Sequence, residues 1–160
     1  MAVVDYSVGD GVRLPVTESG ELFTLKKRLD TSVTGVTAAN VAKLWVIPAN
    51  TMVLDVMAIV RTAEGGTLTI DVGDYLVATD AEVDADGYLD GINGNSAAVN
   101  RSLSTDIGYG GGGGANTYGK VYTANTAYIG ALFNNTADTA VVDFIALCMD
   151  IGDNKEVNTY

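Results

Sequence analysis

One hundred and sixty residues, 48% of them apolar, are enough for one domain with a core, since a chain of this length buries roughly 70% of its unfolded surface. Nine Lys and Arg against twenty Asp and Glu leave a net charge of -11, which opposes binding to phosphate backbones and anionic headgroups, so neither nucleic acid nor membrane is expected as a partner. The chain has no histidine, which removes the commonest general base, the Ser-His and Cys-His nucleophile pairs and the usual zinc ligands; no catalytic residue is assigned and no enzyme is expected.

The chain opens on a segment of different composition. Asp5, Asp10, Arg13 and Glu18 interrupt every apolar run near the start, so no signal peptide is expected. Four of the nine cations, Arg13, Lys26, Lys27 and Arg28, fall in the first thirty residues, and the remainder is strongly acidic. Two readings of residues 1–40 stay open. In one they form an extended N-terminal arm whose basic cluster docks on an acidic neighbour. In the other, Leu22, Phe23, Leu25 and Leu29 pack on the domain while Lys26, Lys27 and Arg28 are solvated.

From residue 41 onward strand signals dominate. Leu44 to Ile47 is halted by Pro48-Ala49-Asn50 and resumes over Met52 to Thr62, with Leu54, Val56, Ala58 and Val60 on one face and Val53, Asp55, Met57, Ile59 and Arg61 on the other. Both faces are largely apolar, which predicts a strand covered on both sides. Glu64-Gly65-Gly66 reads as a hairpin turn into Thr67 to Val72, with Leu68, Ile70 and Val72 inward. Residues 74–118 are rich in Gly, Asp, Asn and Ser and predict loop. Gly119 to Thr123 and Ala127 to Phe133 are the next strands, Asn134 to Asp138 a turn, and Thr139 to Ile151 a long last strand. In that strand Val142, Phe144, Ala146 and Cys148 oppose Val141, Asp143, Ile145, Leu147 and Met149. No convincing amphipathic helix and no internal repeat appear, so the domain is all-β: a sandwich, a jelly roll or a small barrel over residues 41–160. No apolar run approaches about eighteen residues, and a soluble chain is expected. The single cysteine, Cys148, forms no internal disulfide, which suits a reducing cytosol.

No metal or cofactor is assigned. The stretch with suitable residue types is Asp80 to Asp90, where Glu82, Asp84 and Asp86 precede Gly87 as in a calcium loop. It departs from that pattern at its first position, which is Glu, and at its twelfth, where Asn93 replaces the bidentate Glu. Gly108 to Asn116 lacks the Lys and the strand-to-helix setting of a phosphate loop and reads as flexible loop. Asp71, Asp74, Asp143 and Asp150 are strand-associated carboxylates for a glycosidase, and Tyr109, Tyr118, Tyr122 and Tyr128 a possible glycan platform; neither set carries a specific pattern. On an apolar strand without a His partner, Cys148 reads as a buried small hydrophobe.

The run Val36 to Val56, continued by Thr62 to Thr67, Asp71 to Asp74 and Asp86 to Gly91 and by the closing strands from Tyr128 to Asp150, resembles virion structural proteins of tailed bacteriophages. That resemblance implies a jelly-roll-like β-sandwich acting as a capsid decoration or cement protein on the head exterior, stabilising it by bridging capsomers. The implied partners are the major capsid protein lattice and other copies of the chain, as a homotrimer. The implied location is the virion surface, after assembly in the host cytoplasm. A head-fibre or tail-associated part, or a carbohydrate-binding adhesin-like module, is the alternative. On this reading the first forty residues contact the lattice or a neighbouring copy, with Arg13, Lys26, Lys27 and Arg28 as ion-paired anchors, and removing residues 1–30 leaves a folded oligomer that no longer binds the capsid.

Overall fold

The computed structural model describes residues 3–5, 22–102 and 119–152. The described residues form β1 (Val3–Asp5), β2 (Leu22–Asp30), β3 (Asn40–Val46), β4 (Thr51–Thr62), β5 (Thr69–Leu76), β6 (Glu82–Asn93), β7 (Val99–Arg101), β8 (Lys120–Tyr122), β9 (Ala127–Phe133) and β10 (Val141–Asp150). One sheet has the order β1-β3-β9-β5-β6 and the other β2-β10-β4-β7, with β8 also on β4. Pairing is antiparallel except where β1 joins β3. The chain passes from sheet to sheet at β2–β3, β3–β4, β4–β5, β6–β7, β8–β9 and β9–β10, which gives two interleaved four-stranded orders, 2-10-4-7 and 3-9-5-6. That is the jelly roll, an all-β sandwich. Among the described residues no helix is long and apolar enough to cross a membrane.

Alternation decides which side chains fill the space between the sheets. On β10, Val142, Phe144, Ala146 and Cys148 are buried and their neighbours only partly so, as the pattern predicts. On β5, Ile70 and Val72 are inward, following Leu68. On β4, Val56, Ala58 and Val60 are inward as expected, but Val53 joins them. The register of β10 slips between Leu147, opposite Asp55, and Cys148, opposite Val53, leaving Leu54 as an extra residue. Such a bulge reverses the facing of every residue before it. Asn50, at φ 57°, supplies the left-handed residue of the turn that separates β3 from β4.

Glu64-Gly65-Gly66 is not a hairpin: β4 and β5 belong to different sheets, so this turn is a corner. Its carboxylate is buried and gathers donors from the β9–β10 corner. Oε2 accepts the backbone N–H groups of Asp138, Thr139 and Ala140 at 3.1, 3.0 and 3.1 Å, and Oε1 accepts the Thr139 hydroxyl at 2.7 Å. The Glu64 backbone reaches a third corner, donating to the Gly94 carbonyl at 2.9 Å, while Asn95 Nδ2 donates to the Glu64 carbonyl at 3.2 Å. The β2–β3 corner joins this end through Thr31, which donates to Ala140, and through the Val36–Ala137 bridge.

Inside the sandwich, Lys120 on β8 donates to buried Asp74 on β5 at 2.5 Å, and the Tyr88 and Tyr122 hydroxyls lie 2.9 Å apart. Both contacts join one sheet to the other. Gly73 has its own steric reason: a Cβ there would run into the Asp84 carbonyl, because β6 passes directly over it.

Three further expectations are corrected. Residues 22–30 are not an arm; β2 pairs along its length with β10, from Leu22 opposite Met149 to Asp30 opposite Val141, and buries Phe23, Leu25 and Leu29. Removing residues 1–30 therefore takes out a sheet strand and part of the core. Residues 74–102 are not loop, since they hold the end of β5, all of β6 and β7; residues 103–118 lie outside the described residues. Nor is β4 covered on both sides by the described residues, a point developed below.

Burial alone would push the Glu64 carboxyl up, but the Thr139 hydroxyl and the amides of Thr139, Asp138 and Ala140 hold it down, at about 2 against an ordinary 4.5. A carboxyl lowered on folding stabilises the fold above its unfolded pKa, and that contribution fades as pH falls from about 4.5 toward 2. Replacing Glu64 by Gln should cost about 3 kcal/mol at neutral pH and remove this part of the acid limb. Urea unfolding of both forms between pH 2 and 7 measures both effects.

Candidate functional site

The two sheets differ on their outer faces. On the β1-β3-β9-β5-β6 sheet, Val41, Tyr75 and Tyr128 are fully buried, with Val77, Ala85 and Leu132 packed against them. The Tyr75 and Tyr128 rings stack at 5.4 Å, and Lys43 Nζ lies 4.4 Å from the centre of the Tyr128 ring. Burial pushes the Tyr75 phenol above its ordinary range.

The β2-β10-β4-β7 sheet turns an apolar surface outward. Register places Met52 beside Met149, Asp55 beside Leu147 and Met57 beside Ile145 on that face. Ile59 belongs to it as well, next to Val99, and all six of the named apolar residues on β4 and β10 are half-buried. Leu22 (61% exposed), Val99 (61%) and Val121 (48%) extend the patch to its borders, and no described element packs across it. A contiguous apolar face of this kind marks an interaction surface.

A charged node stands at one end of the patch. Arg28 donates through Nε to Asp143 Oδ1 at 2.6 Å and through Nη2 to Oδ2 at 2.9 Å, a bidentate pair between directly opposed residues of β2 and β10. Arg61 donates to the same carboxylate from β4 at 2.9 Å. The Arg28 hydrogen bond, with Arg61 assisting, lowers the Asp143 carboxyl to about 2 despite partial burial. Lys26, opposite Ile145 on β10, lines one shallow groove with Arg28, Arg61 and Asp143. Nearer the middle of β4, fully buried Asp55 accepts from Arg101 Nε at 3.0 Å and from the Ser102 hydroxyl at 2.8 Å.

The residues singled out in the sequence separate here. Lys26 and Arg28 lie on the outer face, whereas Lys27 points inward from the edge strand and is buried, so it is not a surface anchor. An inward charge on an edge strand discourages pairing with a further strand. Arg13 lies outside the described residues. Arg61 and Asp143 complete the node, and nothing local in the sequence marks them as its members, since they lie 82 and 115 positions from their partners.

Glu82, Asp84 and Asp86 are strand residues of β6, not a loop. Side chains two apart on a strand are separated by roughly 6.5 Å, whereas calcium needs oxygens converging at about 2.4 Å. No metal-holding group of three such residues occurs among the described residues. The glycosidase set also disperses: Asp71 accepts from the Gly91 amide and from Asn134, Asp74 pairs with Lys120, and Asp143 with two arginines. A carboxyl held near 2 is no general acid. Tyr122 and Tyr128 are buried and form no platform, while Tyr109, Tyr118 and the Gly108–Asn116 run lie outside the described residues. Cys148 is buried, and burial pushes its thiol up to about 12, so it is inert at neutral pH.

No protein-family model matches the sequence, and no curated protein matches it. Solved structures do. The chain is similar to a chain in the capsid of Ralstonia phage GP4, with TM-score 0.65 and 16% identity over 95% of this chain and 100% of that one. It is similar to a chain of the cyanophage Pam1 capsid asymmetric unit, with TM-score 0.57 and 14% identity over 92% of this chain and 99% of that one. A chain from the acid-stable capsid of Helicobacter pylori bacteriophage KHP30 aligns with TM-score 0.54 and 13% identity over 82% and 90%. At these identities the likeness is one of fold: the jelly roll of this chain is a form found in phage capsids.

Addition of millimolar calcium should leave the melting temperature unchanged within about 1 °C, because a ligand stabilises only by binding the folded state. A calcium-dependent rise, abolished by Glu82→Gln with Asp84→Asn, would restore the cation site.

Proposed function

We propose that this chain is a non-enzymatic structural part of a tailed-phage virion, a decoration protein that binds the exterior of the assembled head as a homotrimer and joins neighbouring capsomers. The observation that carries the reading is the whole-length match of its jelly roll to chains of phage capsids, covering 100% and 99% of the first two. The outward apolar face agrees with it, since a part that works by covering and joining needs surface, not a cleft. So does the tying of Asp71, Asp74 and Asp143 into structural hydrogen bonds and ion pairs.

Such a part acts by mass action. Binding the expanded lattice and not its dissociated subunits adds RT ln(1 + [L]/Kd) to shell stability, about 2.7 kcal/mol at a hundredfold excess over Kd. Contact with several capsomers at once raises avidity through effective concentration. Lys26 and Arg28 on the outer face, together with Arg13, are the residues proposed for ion-paired contacts with the shell or with another copy.

The test uses heads lacking this chain. Added protein should cosediment with expanded heads to saturation, fail to bind unassembled major capsid protein, and raise the temperature at which the heads release DNA. Absence of saturable binding, or equal binding to free subunits, would overturn the proposal.

A further inference from the structure

Two exposed patches on opposite sheets are complementary in charge and in apolarity. The first is the outer face of the β2-β10-β4-β7 sheet, with Leu22, Val99 and Val121 exposed on it and, at one end, Arg28 and Arg61 paired with Asp143 and Lys26 lining the same groove. It concentrates positive charge on a chain whose net charge is -11. The second is the corner where β5 runs into β6. Leu76 (39% exposed) and Val83 (49%) are exposed at this end, where the Leu76 amide donates to the Ala81 carbonyl, and Glu82, opposite Tyr75, is exposed there too, with Asp86 exposed four residues further along β6.

We infer that the outer face of the β2-β10-β4-β7 sheet is seated on the β5–β6 corner of a second copy of this chain, with Lys26 of one copy facing Glu82 of the next. A contact between two different patches is heterologous, so repeating it closes a ring when the rotation permits. The alternative two-fold contact, the outer face against itself about an axis through its centre, lays Lys26, Arg28 and Arg61 over the far end of the partner's patch, where Leu22, Met52, Met149 and Val121 offer no carboxylate, so the cations are desolvated without new partners. Head-to-tail contact instead pairs the cationic end with carboxylates while covering the half-buried Met52, Met57, Ile59, Ile145, Leu147 and Met149. The inference rests on the homotrimer of the preceding reading for the closure of the ring, but not on head binding.

Sedimentation velocity on the full chain over a range of concentration and salt tests it. The wild type should populate a species several times its 16.6 kDa mass, and 1 M salt should weaken it. Lys26→Glu and Glu82→Lys should each weaken association about tenfold or more, and the double variant should recover to within about threefold of wild type. Met57→Lys should prevent association outright. All three positions are exposed or half-buried, and circular dichroism melts matching the wild type establish that the variants fold. A wild type that is monomeric at every concentration, single variants that associate normally, or a double variant no better than either single would overturn the interface. Head cosedimentation of the same samples separates the two proposals. A ring that forms as described yet binds no head retains the interface and removes the decoration role. Wild-type monomers that bind heads do the reverse.

Discussion

The buried Glu64 carboxylate is the constraint on which the topology depends. A jelly roll carries its chain from sheet to sheet repeatedly, and each crossing leaves backbone donors with no ladder partner. At one end of this sandwich, three successive amides of the β9–β10 corner would be such orphans; Glu64, from the β4–β5 corner, takes all three. The same residue's main chain engages Gly94 and Asn95 of the β6–β7 corner. One side chain thus satisfies donors that lie 74 to 76 residues away and fixes where three crossings meet. A buried carboxylate would ordinarily be costly, and the number of N–H and O–H groups converging on it explains why this one stays ionised.

With the corners fixed, the two sheets are held face to face and their outer faces become surfaces of different character. On one, the Tyr75–Tyr128 stack is buried and Gly73 lets β6 cross close by. On the other, methionines and branched aliphatics lie side by side at half burial, bordered by ion pairs already made within the chain. Those internal pairs matter to an interface. Arg28 and Arg61 are held by Asp143 before any partner arrives, so little side-chain freedom remains to be lost on binding.

Where burial alternates strictly, the fold is legible in the sequence: on Val141 to Asp150 the inward set Val142, Phe144, Ala146 and Cys148 follows from the pattern. Thr51 to Thr62 and Ala127 to Phe133 are legible as apolar runs, but the facing of β4 is not, because the bulge at Leu54 resets it. β6 is not legible, because Asp, Ala and Gly have low strand propensity and its neighbour β5 supplies the ladder that overrides them. β2 is half legible: Phe23, Leu25 and Leu29 alternate, but the Lys26-Lys27-Arg28 run obscures the one inward lysine. Gly65-Gly66 reads as a hairpin because local turn chemistry does not say whether the chain returns in its own sheet or crosses to the other. That choice is made by the distant amides of residues 138–140. The node at Asp143 is hidden for the same reason, as each partner is contributed by a different strand.

Charge explains why such a chain is better suited to a built assembly than to chance aggregation. A net charge of -11 keeps free copies apart through long-range repulsion, which acts on every orientation of approach. The attraction between the cationic end of one sheet and a carboxylate-bearing corner acts only over about a Debye length, near 8 Å at physiological salt. An approach in the wrong orientation therefore meets repulsion without compensation, while the correct one gains ion pairs as it buries the methionine-rich face. Lys27, turned inward on the edge strand β2, makes strand addition at that edge unfavourable. If the proposed interface forms, these features confine it to one face, which is the requirement for a part that must occupy defined positions on a larger surface.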